Sequence, residues 1–185
     1  MGNSANLPGF QSPGVGFEQP FEMLQACHER VQRSLDLLRR LTAHIDARGH
    51  DDASRSAAAD VLRYFDLAAP LHHEDEELHV FPALDANPDA TLRQAVATLR
   101  DDHRRMAERW ARARGVLLTW RDDPAPAALD EPARALLKAF GDAYDAHIAL
   151  EEGLVYPAAR ATFDAAGLAR IGAEMQGRRR KPRPR

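Results

Sequence analysis

The sequence predicts an all-α protein: an antiparallel up-down four-helix bundle built from two repeated helical hairpins. Three observations carry this reading. Apolar residues recur at alternating spacings of three and four, the signature of a helix seam. The stretch HHEDEELHVFP (72–82) returns as HIALEEGLVYP (147–157), an offset of 75 residues that holds over much of the chain. No β-rich alternating run bounded by tight turns is present.

The first helix is expected where Leu24, His28, Val31, Leu35, Leu38, Thr42 and Ile45 form one stripe. The stretch ARGHDDAS ends it, with Ser54 a candidate N-cap for the second helix. That helix carries Leu62, Phe65, Ala69, His72, Glu76 and His79, and Pro82 marks its approximate end. Pro70 falls inside it and predicts a kink just before His72. After PALDANPDAT, a third helix presents Leu99, His103, Met106, Trp110, Ala113, Leu117 and Trp120. RDDPAPAALDEP leads to the fourth, with Leu137, Phe140, Tyr144, His147, Glu151 and Leu154, ending near Pro157. Each helix of roughly 25 residues would be ~38 Å long. A short fifth helix is expected around residues 161–176. The chain thus divides into a flexible arm (1–19), the bundle (20–160) and a C-terminal helix with a basic tail (161–185).

The 185 residues are 44% hydrophobic and 29% charged, which suits one globular domain with a sizeable core. One cysteine, Cys27, permits no internal disulfide and fits a reducing compartment, so a cytoplasmic location is expected. No apolar run approaches the ~20 residues of a membrane span, and no basic start with an apolar region marks a secretory signal. The tail GRRRKPRPR holds six basic residues and no acid, so the body is more acidic than the net charge of −3 suggests. An acidic body argues against nucleic acid as a partner, and the tail reads as a solvated end.

His28, His72, Glu76, His103, His147 and Glu151 all fall on seams that are otherwise apolar. Polar groups are costly to bury there unless something pairs with them. A histidine and a glutamate four residues apart share a helix face, so two such pairs plus one histidine from each other helix converge. Four imidazoles and two carboxylates suit a pair of first-row transition metals: iron, with manganese or zinc open to the same donors. His73 and Glu77 share the spacing of His72 and Glu76. The repeat partner of His73 is Ile148, which has no donor, so His72–Glu76 is the expected pair. Glu77 and Glu152 are either outer acceptors for metal-bound histidines or solvated acids. His79 reads as a bundle-end residue, Tyr144 as core filling with a chance at hydrogen-bonding a ligand, and Cys27 as inert.

The motifs ACHERV, HHEDEELHVFP, DDHRRM and HIALEEGLVYP resemble the hemerythrin-like HHE cation-binding domain family over roughly residues 20–160. The resemblance implies a non-haem di-iron centre, which an oxo group can bridge, held by His28, His72, Glu76, His103, His147 and Glu151. Oxygen-carrying hemerythrins have a further histidine four residues after the third-helix ligand. Here that position is Ala107, which puts simple oxygen carriage in doubt and implies a more open site. The expectation is a protein that binds or senses oxygen, nitric oxide or iron. The alternatives are a redox enzyme acting on peroxide or nitric oxide, an iron donor for iron-sulphur cluster repair, and a metal-stabilised structural bundle. No nucleophile-base-orienter set is present, so no catalytic residue is assigned.

Overall fold

The computed structural model describes residues 15–180, and every regular element among them is helical. The expectations for the first fourteen residues and for 181–185 lie outside these described residues.

Helix α1 runs Pro20–Arg48 and stops at Gly49, whose φ of 78° is open to glycine without strain. The second rod is composite: α2 (Asp52–Arg63), a π-helical turn (Tyr64–Ala68), α3 (Ala69–Asp75) and a second π-turn (Glu76–Val80). Its N-cap is Asp51, not Ser54. The Asp51 side chain accepts from the Ser54 N–H while Ser54 Oγ accepts from the Asp51 N–H, so Ser54 is the far half of a capping box. Pro70 is carried at the start of α3, directly after the first π-turn. Proline lacks an N–H and its ring crowds the carbonyl of residue i−4. The wider turn, closed by the Ala69 N–H on the Tyr64 carbonyl, lets the rod continue past it.

Helix α4 (Ala90–Asp122) is capped by Asp89 on the Thr91 N–H. The fourth rod comprises α5 (Glu131–Gly141), α6 (Tyr144–Leu150), a π-turn (Glu151–Val155) and α7 (Tyr156–Arg160). Pro157 does not end it. The proline sits in the first turn of α7, where a missing N–H is tolerated. Helix α1 packs on α2, α2 on α4, and α4 on α5.

The fifth helix, α8, covers Ala165–Arg180, later than expected but of the same length. It lies against α1, and Gly172 meets the Phe17 carbonyl so closely that a Cβ would overlap it. Part of the stretch read as a solvated basic tail is therefore structural. Arg178 donates to Asp75 Oδ1, and Arg179 donates to Asp75 Oδ2 at 2.5 Å. Asp75 is fully buried, so local sequence pattern alone gave no hint of these distant partners.

Two apolar clusters fill the interior. One gathers Val31, Phe65, Ala69, Met106 and Tyr144; the other gathers Leu24, Val80, Phe81, Leu99 and Val155. On each rod, the expected polar residues fall between a member of one cluster and a member of the other.

Candidate metal centre

His28, His72, Glu76, His103, His147 and Glu151 are all buried, and all meet in this polar layer. Each glutamate opens a π-turn, Glu76 to Phe81 and Glu151 to Tyr156, closed by the same i→i+5 bond. The extra residue in each turn lies one step beyond the carboxylate. It turns Phe81 and Tyr156 inward, where an uninterrupted α-helix would aim them differently.

The carboxylates reach across the layer. Glu76 Oε1 lies 3.4 Å from His72 Nε2, and its Oε2 lies 3.3 Å from His103 Nε2. Glu151 Oε2 lies 3.1 Å from His28 Nε2, and its Oε1 lies 3.0 Å from His147 Nε2. Each glutamate thus offers one oxygen to the His28–His72 side and one to the His103–His147 side. Donor atoms of His28, His72, Glu76 and Glu151 fall within 4.8 Å of one another, and so do those of His73, His103 and His147.

His73 therefore stands at the centre, where the repeat gave no reason to place it. Its ring stacks on His103 at 4.1 Å between centroids. Neighbouring α3 and α4 bring it beside Ala107: both line a cavity of about 150 Å³ with Phe65, Pro70, Met106 and Tyr144. Tyr156 is a second residue that the sequence reading missed, since the aromatic-Pro pair was read only as a helix end. Its hydroxyl donates to Glu76 Oε1 and lies 3.3 Å from His28 Nε2, with its ring stacked on His28.

The outer contacts follow the repeat. Glu152 Oε1 is 2.8 Å from His28 Nδ1, and Glu77 Oε1 is 3.0 Å from His103 Nδ1. Asp102 Oδ2 stands 3.5 Å from His147 Nδ1. An acceptor on the far nitrogen fixes the tautomer so that Nε2 points inward as a donor. His79 pairs with Glu174 of α8 at 2.7 Å, away from the centre. Tyr144 is core, and burial raises its hydroxyl pKa. Cys27 is buried, and burial raises its thiol pKa, which keeps it in the inert form.

The electrostatics describe a site with compensated charge. Burial disfavours charging His28, but the adjacent Glu151 carboxylate and the charge of Glu76 outweigh it and raise its pKa to about 9. His103 reaches about 9 against the same burial, through Glu76 and Glu77. Burial drives His72 well below its usual value and takes His73 down to about 3, with His103 adding to the latter. Glu151 falls to about 2 despite burial, held by His147 and His28.

Buried atoms remain without hydrogen-bond partners: His103 Nε2, His147 Nε2, Glu76 Oε2 and both Glu151 oxygens. Such atoms are expensive unless a cation answers them. Their inward aim and nitrogen-plus-carboxylate chemistry fit first-row metal ions.

The family model for the hemerythrin HHE cation binding domain matches residues 19–159. The chain belongs to this family. It is also similar to an uncharacterized protein of Haemophilus influenzae, 32% identical over 163 residues, covering 88% of this chain and 91% of the relative. The domain's His/Glu cluster is thus the candidate cation-binding site of an HHE protein. Among the described residues, no helix is long and apolar enough to cross a membrane.

Proposed function

We propose that this HHE domain holds two iron ions between its four long rods, arranged as an antiparallel up-down bundle, and uses them to bind or sense a small ligand: oxygen, nitric oxide or iron itself. The observation that carries the reading is the split reach of Glu76 and Glu151, each with one oxygen on either side of the layer. Two carboxylates placed this way suit two cations better than one. His28, His72, His103 and His147 supply neutral nitrogen donors, and the two glutamates offset the added charge. Bound iron would supply reversible redox and ligand-binding chemistry. The chain's own residues orient the donors, exclude water and hold protons on His28 and His103 when no cation is present.

A redox enzyme acting on peroxide or nitric oxide, or an iron donor for cluster repair, is the second reading. It draws support from Tyr156, a hydroxyl donor placed directly against Glu76. Protein purified without oxygen should contain two irons per chain and develop near-ultraviolet and visible absorption in air. Metal analysis and optical spectra check this, and failure to take up iron would sink it. Sustained consumption of peroxide or nitric oxide by the iron-loaded protein would favour the enzyme.

A further inference from the structure

Where α1 meets the second rod, the surface carries a half-open groove of about 380 Å³. Met23, Cys27 and Arg30 recur at four and three along α1 and form one wall. Arg63, Leu67 and Leu71 recur at four along the second rod and form the other. The first π-turn, Tyr64–Ala68, lies within that second wall and carries Leu67, which is 52% exposed. Phe17 and Arg179 also line the groove, with the Arg179 guanidinium 5.2 Å from the Phe17 ring centre.

The charged residues of this lining are all arginines, and two of them are already answered. Arg63 Nη2 donates to Asp60 Oδ1 at 2.7 Å, and Arg179 donates to both oxygens of Asp75. Arg30 makes no hydrogen bond or ion pair among the described residues, and its Nε is buried without a partner. A guanidinium nitrogen left so is costly unless an acceptor reaches it. Residues 1–14 and 181–185 contain no acidic side chain, so neither chain end offers that acceptor.

We propose that the groove binds a medium-chain fatty carboxylate, with its head on Arg30 and its chain along Met23, Leu67 and Leu71. One unanswered cation calls for one negative charge, which a carboxylate carries and a dianionic phosphate exceeds. The guanidinium fork takes a carboxylate through two parallel hydrogen bonds. The apolar walls beyond it suit methylenes, and a chain lying there covers the open face of Leu67. The volume falls near the lower end for small-molecule sites, which favours a medium chain over a long one.

The test titrates decanoate into the full-length protein by calorimetry, below the micellar concentration and at fixed ionic strength. Wild type should bind one equivalent saturably. Arg30→Gln should weaken binding by about tenfold or more, the loss of a hydrogen bond between charged partners. Leu67→Asp sets a like charge in the apolar wall and should weaken it at least as much. Arg33→Gln removes the same charge from an exposed position one turn along α1, outside the groove, and should bind as wild type does. Butyrate keeps the head but loses most of the chain, so it should bind at least about 100-fold more weakly. Circular dichroism checks that the variants remain helical. Absence of saturable decanoate binding overturns the assignment, and so does wild-type affinity in both Arg30→Gln and Leu67→Asp. Capture of phosphatidylglycerol vesicles without decanoate binding would also overturn it, making the Leu67 face a membrane contact instead.

Discussion

Single residues set the protonation of the centre. His28 and His103 carry pKa values near 9 in the metal-free protein, above the ordinary 6.5. A histidine raised on folding stabilises the fold fully below pH 6.5, and that contribution fades as pH rises through about 9. Their share of metal-free stability should therefore be lost between pH 6.5 and 9, measurable as a falling melting temperature in chelator. The same protons compete with cations, so iron(II) affinity should rise over this window and binding at pH 7 should release protons from both histidines. Titration calorimetry in buffers of different ionisation enthalpy checks the release. Glu152 and Glu77 hold these two rings by their outer nitrogens. Glu152→Gln and Glu77→Gln should each cost about 10–100-fold in metal affinity while leaving helix content unchanged. His79→Ala should cost nothing comparable, since His79 pairs with Glu174 instead. At this scale the sequence was legible where the repeat applied. Glu77 and Glu152 map onto each other and take the same role. His73 was not legible, because its repeat partner Ile148 carries no donor. Two-fold pseudo-symmetry argues against any ligand present in one half alone.

The helical elements explain why the repeat was easy to read and the π-turns were not. Seam residues from Leu24 to Ile45 and from Leu99 to Trp120 fix the long helices by periodicity, and most of them are buried. A π-turn inserts one residue without altering the composition of the stripe, so the pattern stays apolar while the aim of Phe81 and Tyr156 changes. The sequence marks these turns only by the prolines beside them, Pro82 and Pro157, which read as helix ends. In α4 one position works against its helix. Gly115 is exposed in the middle of Ala90–Asp122, and a Cβ there meets nothing within 4 Å. Gly115→Ala should stabilise the protein by about 1 kcal/mol and raise its melting temperature by about 2–4 °C, checked by thermal denaturation. Metal content should not change, because the position faces solvent.

Across the whole molecule, two apolar clusters clasp one polar layer, and α8 seals the rod that carries Glu76. Asp75, next in sequence to Glu76, is fully buried and bound by Arg178 and Arg179. Removing both partners leaves a buried carboxylate without compensation. Arg178→Ala with Arg179→Ala should destabilise the fold by about 3 kcal/mol, read from denaturant unfolding. It should also loosen iron, since Glu76 shares the same turn. Charge composition did not reveal this contact. A run of arginines reads as solvated until a distant carboxylate is known to be buried beside it.

The order of synthesis gives that contact a temporal meaning. Asp75 leaves the ribosome 103 and 104 residues ahead of Arg178 and Arg179. At typical elongation speeds this is roughly 5–20 s during which the nascent rod holds an unanswered acid beside Glu76. For most of that interval the growing chain has neither α8 nor the second H-x-x-x-E motif. Iron captured early would sit in an unfinished cage, open to water and oxidants. Arg178 and Arg179 close the acid and the cage together, so the growing chain should be protease-sensitive around α3 until they emerge and resistant afterwards.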